Sequence, residues 1–199
     1  MKKTKKRFIA LFTLIALVSV TAIGATYAYL SSTTAAITNT FTVGDVQINL
    51  TEPAFVPADE HILVPGATLA KNPTVTVLAN SEDSYVAIKV TVPKALDSLV
   101  TLDWNTTDWQ LVEKITDTDN SNNYAYYYKY KNEVEKAASN TQLNAAFGSV
   151  YVKTSVTNSQ LQALTADDLK VTVQAFAIQS LGFSNVDDAL AQWIPTIAD

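Results

Sequence analysis

The chain has no cysteine and, among its 199 residues, only one histidine and five glycines. Without cysteine it has no disulfide, no thiol nucleophile, no thiol for lipid attachment and no Cys-ligated metal. A single imidazole also cannot supply the two histidines that a His-Glu-x-x-His zinc peptidase needs. Stability must therefore come from burial of apolar side chains and from strand pairing, and we expect no cofactor.

Positive charge is scarce beyond the first seven residues. The opening "MKKTKKR" holds five of the fourteen Lys and Arg residues, whereas all nineteen acidic residues lie after residue 28. The net charge after residue 28 is therefore 9 − 19 = −10. A surface of that sign repels nucleic acid and anionic lipid. We expect no nucleic-acid partner, and membrane contact only through an uncleaved signal.

The basic start leads into a 23-residue apolar stretch from Phe8 to Leu30. This order is typical of an export signal, whose apolar helix is about 7–15 residues long, while a membrane span needs about 20. Thr26 and Ala28 put small side chains three residues and one residue before a peptide bond, and no basic stop-transfer cluster follows. The sequence predicts a signal helix cleaved between Ala28 and Tyr29; a retained N-terminal anchor is the alternative.

A segment rich in Ser, Thr and Ala follows the signal at residues 29–40. Its large apolar side chains are Tyr29, Leu30 and Ile37. Ser and Thr tolerate an extended chain without folding into a helix. We interpret residues 1–28 as signal peptide, 29–40 as a flexible N-terminal segment and 41–199 as a single domain, since the length suffices for one core.

Alternating apolar residues predict seven or eight strands, at the spacing typical of an antiparallel β-sandwich. The clearest are "TVTV" at residues 74–77 and "YVAIKVTVP" at residues 85–93. The turn-rich "NSEDS" between them indicates that the two form an antiparallel hairpin. The predicted fold is therefore all-β, with one short C-terminal helix.

The first predicted strand, "TFTVGDVQINL", changes parity in its middle. Its apolar residues fall into two sets, Phe41 and Val43, then Val46, Ile48 and Leu50. A β-bulge at Gly44 and Asp45 would bring both sets to one buried face.

The C-terminal third combines a last strand with a helix. The strand "LKVTVQAFAIQS" has five apolar residues on one parity, Leu169, Val171, Val173, Ala175 and Ala177. Beyond it, Val186, Leu190 and Trp193 have helical spacing, and Ser184 precedes Asp187 by three residues as in a capping box. The connection at residues 133–147 is either a helical turn or two, or a bulky loop.

The stretch "YAYYYKYK" carries the most conspicuous aromatic pattern. Its alternation places four rings on one face, those of Tyr124, Tyr126, Tyr128 and Tyr130. That face, with Trp104 and Trp109 nearby in sequence, could stack on sugar rings or line an assembly interface. The alternative is a half-buried strand whose rings pack into the core.

Other candidate sites are weak. His61 lies in a proline-rich loop beside Asp59 and Glu60, without a nucleophile elbow or a second imidazole, so we predict neither hydrolase nor zinc chemistry. "DTDNSNNY" resembles a calcium loop at Asp117, Asp119, Ser121 and Asn123. It lacks the glycine and the final bidentate acid, which favours a solvated turn. The pairs Asp167-Asp168 and Asp187-Asp188 are interpreted as caps and surface charge.

Several stretches carry a family likeness: "TYAYLSS", "ITNTFTVGDVQINLTEP", "LVPGATLAKNPTVTV" with "YVAIKV", and "VTVQAFAIQSLGFSNVDDAL". They resemble the TasA and camelysin (CalY) family, the exported proteins of Gram-positive bacteria that the signal peptidase SipW processes. The resemblance implies a β-sandwich of jelly-roll type, a SipW-type peptidase as partner, cleavage after Ala28, and secretion to the extracellular matrix or cell surface.

The resemblance also implies a biofilm-matrix fibre in which a donor segment, here Tyr29 to Thr40, completes the sheet of the next copy. The alternatives for this segment are a loose terminal leader and a strand paired within its own subunit. This donor departs from the family in being dominated by Ser, Thr and Ala. Two alternatives stay open: a monomeric surface adhesin that binds glycans, and a camelysin-type metallopeptidase, for which His61 is the single available imidazole. We predict a structural protein that assembles with itself, and no enzyme.

Overall fold

The structure is a computed structural model that describes residues 32–33, 46–55, 62–191 and 193–194. All of them belong to the compact unit Ser31–Asp199. The predictions that fall outside the described residues concern the signal and its cleavage at Thr26, Ala28 and Tyr29, the apolar residues Leu30 and Ile37, the bulge at Gly44, and His61.

The described part of the chain is mostly β-structure, which confirms the all-β prediction. Its strands are β1 (Ser32–Thr33), β2 (Ile48–Thr51), β3 (Thr68–Ala70), β4 (Thr74–Val77), β5 (Ser84–Pro93), β6 (Val100–Trp104), β7 (Trp109–Thr116), β8 (Asn123–Tyr130), β9 (Thr141–Gln142), β10 (Phe147–Val152) and β11 (Thr172–Gln179). The helices are α1 (Lys94–Asp97), α2 (Asn158–Gln162) and α3 (Val186–Leu190), with a 3-10 turn at Asp167–Leu169.

The strands form three sheets, and every pairing among them is antiparallel. The largest has the order β1-β11-β5-β8-β7. The two smaller sheets have the orders β3-β10-β6 and β2-β4-β9. β11 therefore lies between β5, the longest strand, and the two-residue β1.

The predicted hairpin between β4 and β5 is wrong, because the two strands belong to different sheets. The connection between them makes its hydrogen bonds elsewhere: the Leu78 N–H donates to the carbonyl of Gln47 at 2.8 Å, and the Asn80 N–H donates to that of Ala137 at 2.7 Å. Asn80 has a positive φ of 64°, a conformation that Asn tolerates. These bonds direct the chain from one sheet to the other.

One core contains residues from all three sheets. The alternating set of β5 is fully buried in it, as predicted: Val86, Ile88, Val90 and Val92. The same core takes Val46, Ile48, Val75 and Val77 from the β2 and β4 region, and Phe147, Val150 and Val152 from β10. Side chains at alternate positions thus meet across the sheets, which is why a period of two was a reliable guide to burial.

The other face of the five-stranded sheet holds a second, smaller core. The C-terminal residues Ala189, Leu190 and Ile194 pack there against Ala87 and Phe176. The helical spacing of the C-terminal segment is confirmed. Its cap is one residue later than predicted, because the side chain of Asn185, and not that of Ser184, accepts from the Asp187 and Asp188 N–H groups.

Residues 133–147 form no helix, which agrees with the alternative of a bulky connection; they contain β9 and an isolated bridge between Ser84 and Val134. Two local predictions need correction. Leu169 does not continue the buried face of β11, since it lies in the 3-10 turn with 45% of its surface exposed. The described residues form eleven strands rather than seven or eight, because short strands such as β3 and β9 are too brief to show a period.

Candidate functional site

The outer edge of β11 is the place where the N-terminal segment meets the folded domain. Ser32 pairs with Ala177 and Thr33 pairs with Phe176, antiparallel. These two residues belong to the segment that the sequence predicts to be a donor. Within this chain, then, Ser32 and Thr33 form a strand on the edge of β11, which is the arrangement of the alternative in which the segment pairs within its own subunit.

The position where β1 pairs is firmly anchored. The ring of Phe176 is stacked on that of Trp193, with centroids 4.5 Å apart and planes 3° apart. Trp193 also meets Tyr127 edge-on at 5.4 Å. The C-terminal helix is held to the same face by an ion pair between the Lys129 Nζ and an Asp187 carboxylate oxygen at 2.5 Å. Because Phe176 is only 1% exposed, we expect the β11 edge to be rigid before any strand docks on it.

The chemical character of β11 suits strand pairing. Its sequence "TVQAFAIQ" contains no charged residue. Its side chains contribute to both cores, with Val173, Ala175 and Ala177 on one face and Phe176 and Ile178 on the other. An edge without charge or proline is the kind to which another strand adds readily.

The tyrosine face of β8 is directed at the main core. Tyr128 is 6% exposed and is stacked on Trp104, with centroids 3.9 Å apart and planes 16° apart. Tyr130 meets Trp109 edge-on at 5.2 Å. Trp109 is 1% exposed, and its indole N–H donates to the carbonyl of Asn144 at 2.9 Å. These rings have their faces occupied by neighbouring side chains.

Tyr124 and Tyr126 lie at the more open end of β8. The Tyr126 hydroxyl donates to the carboxylate of Asp97, which also pairs with the Lys114 ammonium at 2.9 Å. The same ammonium lies 4.2 Å from the centre of the Tyr124 ring. Burial, followed by the bond to Asp97, raises the pKa of Tyr126 to about 12, and burial raises the pKa of Tyr128 to about 12. Both phenols are therefore neutral at ordinary pH.

The turn that resembles a calcium loop, at residues 117–123, binds the side chain of a lysine from β5. The Lys89 ammonium lies 2.7 Å from an Asp117 carboxylate oxygen and 3.3 Å from one of Asp119. Burial alone would lower the pKa of Lys89, but the hydrogen bond to Asp117, the charges of Tyr127 and Asp117 and the hydrogen bond to Asp119 together outweigh burial and raise that pKa. An ammonium thus stands where the sequence pattern would put a cation. The prediction of a solvated turn is wrong for Asp117, which is only 5% exposed.

The remaining acidic pairs have local partners. The Asp168 carboxylate accepts from the N–H and hydroxyl of Thr165 at 2.9 and 2.7 Å, which lowers its pKa. Asp167 pairs with Lys170 at 2.7 Å. Across the described residues, no group of three His, Asp or Glu side chains is arranged to hold a metal ion.

Two features of the site had only faint signals in the sequence. Lys89 is the single charged residue of the otherwise uncharged strand β5, and such a residue needs a buried partner. Asp97, which organises the open end of β8, ends α1 and belongs to no recognisable motif. That β11 rather than another strand lies next to the N-terminal segment could not be read from alternation, which gives the face of a residue but not its neighbour.

Comparison of the chain with protein families, with curated proteins and with solved structures gave no match. In the part of the chain that the structure describes, no helix has the length and apolar character needed to span a bilayer. A functional conclusion must therefore rest on the residues themselves.

Proposed function

We propose that this chain is a secreted structural protein of the biofilm matrix or cell surface, similar to TasA-type fibre subunits. In this proposal the domain is a β-sandwich of jelly-roll type. A SipW-type peptidase removes residues 1–28, and residues 29–40 then leave their own domain and pair with β11 of the next copy. Repetition of this exchange gives a homopolymer.

The observation that carries the proposal is the pairing of Ser32 and Thr33 with the edge of β11. It supports β11 as the acceptor within the domain and the N-terminal segment as the donor. A contact that forms within one chain can form identically between two chains, which is the basis of domain swapping. The closed monomer and the open polymer then differ in connectivity and hardly at all in local contacts.

The connection between donor and domain is long enough for exchange. Twelve residues, 34–45, separate Thr33 from Val46, the first described residue of the domain. An extended chain of this length spans about 40 Å, which is comparable with the diameter of a domain of this size. Its Thr and Asn content disfavours a helix.

Deleting the donor tests the proposal. Residues 29–199 should form fibres visible by negative-stain microscopy, and a protein that begins at Phe41 should not. Thr33→Pro removes an N–H and restricts φ, so it should also reduce fibre formation. Thr33→Val, which favours strands, is the matched control and should preserve it. Equal fibres from the full and the truncated protein would contradict the proposal.

The two alternatives gain no support from the site. Stacked and buried rings such as Trp104 and Tyr128 offer little free surface to a sugar, although Tyr124 is only half-buried. Glycan binding that disappears in Tyr124→Ala, in a protein that never assembles, would revive the adhesin. Caseinolytic activity that is lost in His61→Ala would revive the peptidase.

A further inference from the structure

The two ends of β5 carry different charges. At the end where β5 begins and β11 ends lies a groove of about 450 Å³. Its charged lining consists of Glu82, Asp83 and Glu133, and Leu181 at its rim is 82% exposed. The ten residues of β5, at about 3.3 Å a residue, put the other end of the strand roughly 30 Å away. The groove and the residues that follow β5 are therefore separate surfaces of one domain.

The groove has more negative than positive charge. Glu82 pairs with the Lys136 ammonium. Asp83 accepts from the Lys136 backbone N–H at 2.6 Å, and this neutral donor leaves the charge of Asp83 in place. Glu133 is exposed, and its carboxylate takes part in none of the ion pairs between described residues. Three carboxylates thus stand against one ammonium, and a second ammonium would find partners here.

The opposite end of β5 offers such an ammonium. Lys94 directly follows the strand, and its Nζ donates to the Thr116 hydroxyl at 3.0 Å and lies 5.0 Å from the centre of the Tyr124 ring. Just beyond α1, the Lys153 Nζ donates to the carbonyl of Ser98 at 2.7 Å. A hydroxyl, a ring and a carbonyl are uncharged, so neither ammonium is neutralised by these contacts.

The carboxylates at the Lys94 end are already engaged by lysines or by local hydrogen bonds. Asp97 pairs with Lys114, and the 3-10 turn reaches this end because Thr172 of β11 pairs with Thr91. In total, five carboxylates stand against five ammonium groups: Asp97, Asp117, Asp119, Asp167 and Asp168 against Lys89, Lys94, Lys114, Lys153 and Lys170. This end is therefore neutral, although the chain after residue 28 has a net charge of −10. A neutral end with an uncompensated ammonium complements an acidic groove.

We propose that a second copy of this chain occupies the groove, with its Lys94 ammonium at Asp83 and Glu133 and its Tyr124 ring against Leu181. The apolar stem of Lys94 and the tyrosine ring then cover the exposed leucine, while the charged head meets the carboxylates. Because the groove and the Lys94 end are different surfaces, the contact is heterologous and repeats from copy to copy in one direction.

The end-to-end contact is additional to the proposed strand exchange and does not use residues 29–40. A contact confined to one groove is smaller than the interfaces of about 1,200–2,000 Å² that hold stable complexes together. By itself it is therefore weak and does not maintain a fibre. Between copies that are already linked by an exchanged strand, it forms at a high effective concentration and fixes their relative orientation.

Carbodiimide cross-linking of residues 29–199 tests the contact directly. The reagent activates a carboxylate, an adjacent lysine amine attacks it to form an amide, and the carboxylate oxygen leaves with the reagent as a urea. Lys94 and Glu133 are about 30 Å apart within one chain, so an amide between Lys94 and Glu133 or Asp83 can form only between copies. Peptide mass spectrometry of mixed isotope-labelled and unlabelled protein should find this link.

Charge reversal provides the matched control. Sedimentation velocity of Thr33→Pro proteins, in which strand exchange is reduced, measures the end-to-end contact alone. Lys94→Glu and Glu133→Lys should each weaken association by about fivefold, the effect of one exposed ion pair. The two changes together should restore it, because the charges again attract. Glu135→Lys alters the charge equally but lies outside the groove lining, so it should not restore association of Lys94→Glu.

The outcomes separate this contact from strand exchange. If Lys94 is never linked to Asp83 or Glu133, or if the double reversal fails to restore association, the end-to-end contact is overturned and strand exchange is unaffected. A lysine-rich peptide that becomes linked to Glu133 while no link forms between copies would replace the second copy by a basic partner. The Lys94 link in a protein whose residues 32 and 177 never cross-link between copies would support this contact and contradict the proposed exchange.

Discussion

Apart from the two-residue β1, the outermost strands of the five-stranded sheet are β11 and β7, and they are very different. At one side, β11 is uncharged and takes β1 as a partner. At the other side, β7 contains Glu113 and Lys114 and has a register shift between Leu111 and Glu113. Charges and bulges are the usual protection of an edge strand against further pairing. Under the proposed strand exchange, the sheet would accept a strand at β11, while charge and the register shift protect β7 from further pairing.

The edges also differ in how their side chains are held. At β11, the buried ring of Phe176 is stacked on the ring of Trp193, which follows α3. At β7, Leu111 and Val112 are 44% and 40% exposed next to the register shift. Rigidity therefore coincides with the edge that accepts a strand, and looseness with the edge that does not. Substitutions at the two edges test this contrast.

The largest effect should come from Phe176→Ala. It removes a fully buried ring and the stack that fixes α3, so the free energy of unfolding should fall by about 3–5 kcal/mol. Leu111→Ala at the opposite edge is the control and should cost well under about 1.5 kcal/mol, because that side chain already meets water. Urea unfolding followed by tryptophan fluorescence measures both. Similar losses for the two variants would remove the contrast in rigidity.

Asp117→Asn should come next. It leaves the Lys89 ammonium buried with only the exposed Asp119 nearby, so we expect a loss of about 3 kcal/mol. The matched change Asp187→Asn affects a pair whose acid is 64% exposed and should cost about 1 kcal/mol or less. Chemical denaturation at neutral pH gives both values, and a loss below about 1 kcal/mol for Asp117→Asn would contradict the account of the turn.

Alkaline pH should weaken the side of the sheet next to β7. The pKa of Tyr128 is raised to about 12 by burial, so the fold favours its neutral phenol. Its contribution is fully present below the unfolded pKa of about 10 and is lost as the pH rises toward 12, by roughly 2 kcal/mol. Tyr128→Phe cannot ionise, so its urea midpoint should fall less between about pH 9 and pH 11 than that of the parent. Parallel pH profiles would refute this.

The smallest effect on stability is expected at the β7 edge, where we also expect a change in association. Glu113→Val with Lys114→Val should lower the free energy of unfolding by about 1 kcal/mol, because the exposed Lys114 loses its pair with Asp97 and its contact with the Tyr124 ring. The uncharged edge should then associate side by side, which light scattering would detect as growth that does not need residues 29–40. Unchanged scattering would mean that the bulge alone protects β7.

The sequence predicted the faces of the strands better than their partners. Val75, Val77 and the β5 valines were correctly placed in the core because a period of two reports burial directly. The β4–β5 hairpin was wrong because a six-residue connection can cross between sheets as easily as it can turn back. The tyrosine face was predicted as one surface. The stacking of Trp104 on Tyr128 could not be predicted, because Trp104 belongs to β6, which is distant in sequence.

Of the candidate site, only the extended character of the N-terminal segment was indicated by the sequence. Ser and Thr in residues 29–40 tolerate an extended chain, whereas nothing local marks β11 as the partner of Ser32 and Thr33. Both β5 and β11 alternate in the same way, and which of them lies next to the N-terminal segment is decided by long-range pairing.

Disulfide trapping between different copies is a direct test of strand exchange, because the natural chain has no cysteine to interfere. Ser32 and Ala177 are partners in the ladder, at a separation of about 4.5–5.5 Å between Cα atoms that a disulfide can bridge. Proteins with Ser32→Cys alone and with Ala177→Cys alone would be mixed during assembly and oxidised. The account predicts a heterodimer cross-linked between the thiols introduced at positions 32 and 177, identified by peptide mass. If that link forms only when both substitutions are in one chain, the donor stays in its own domain and strand exchange is contradicted.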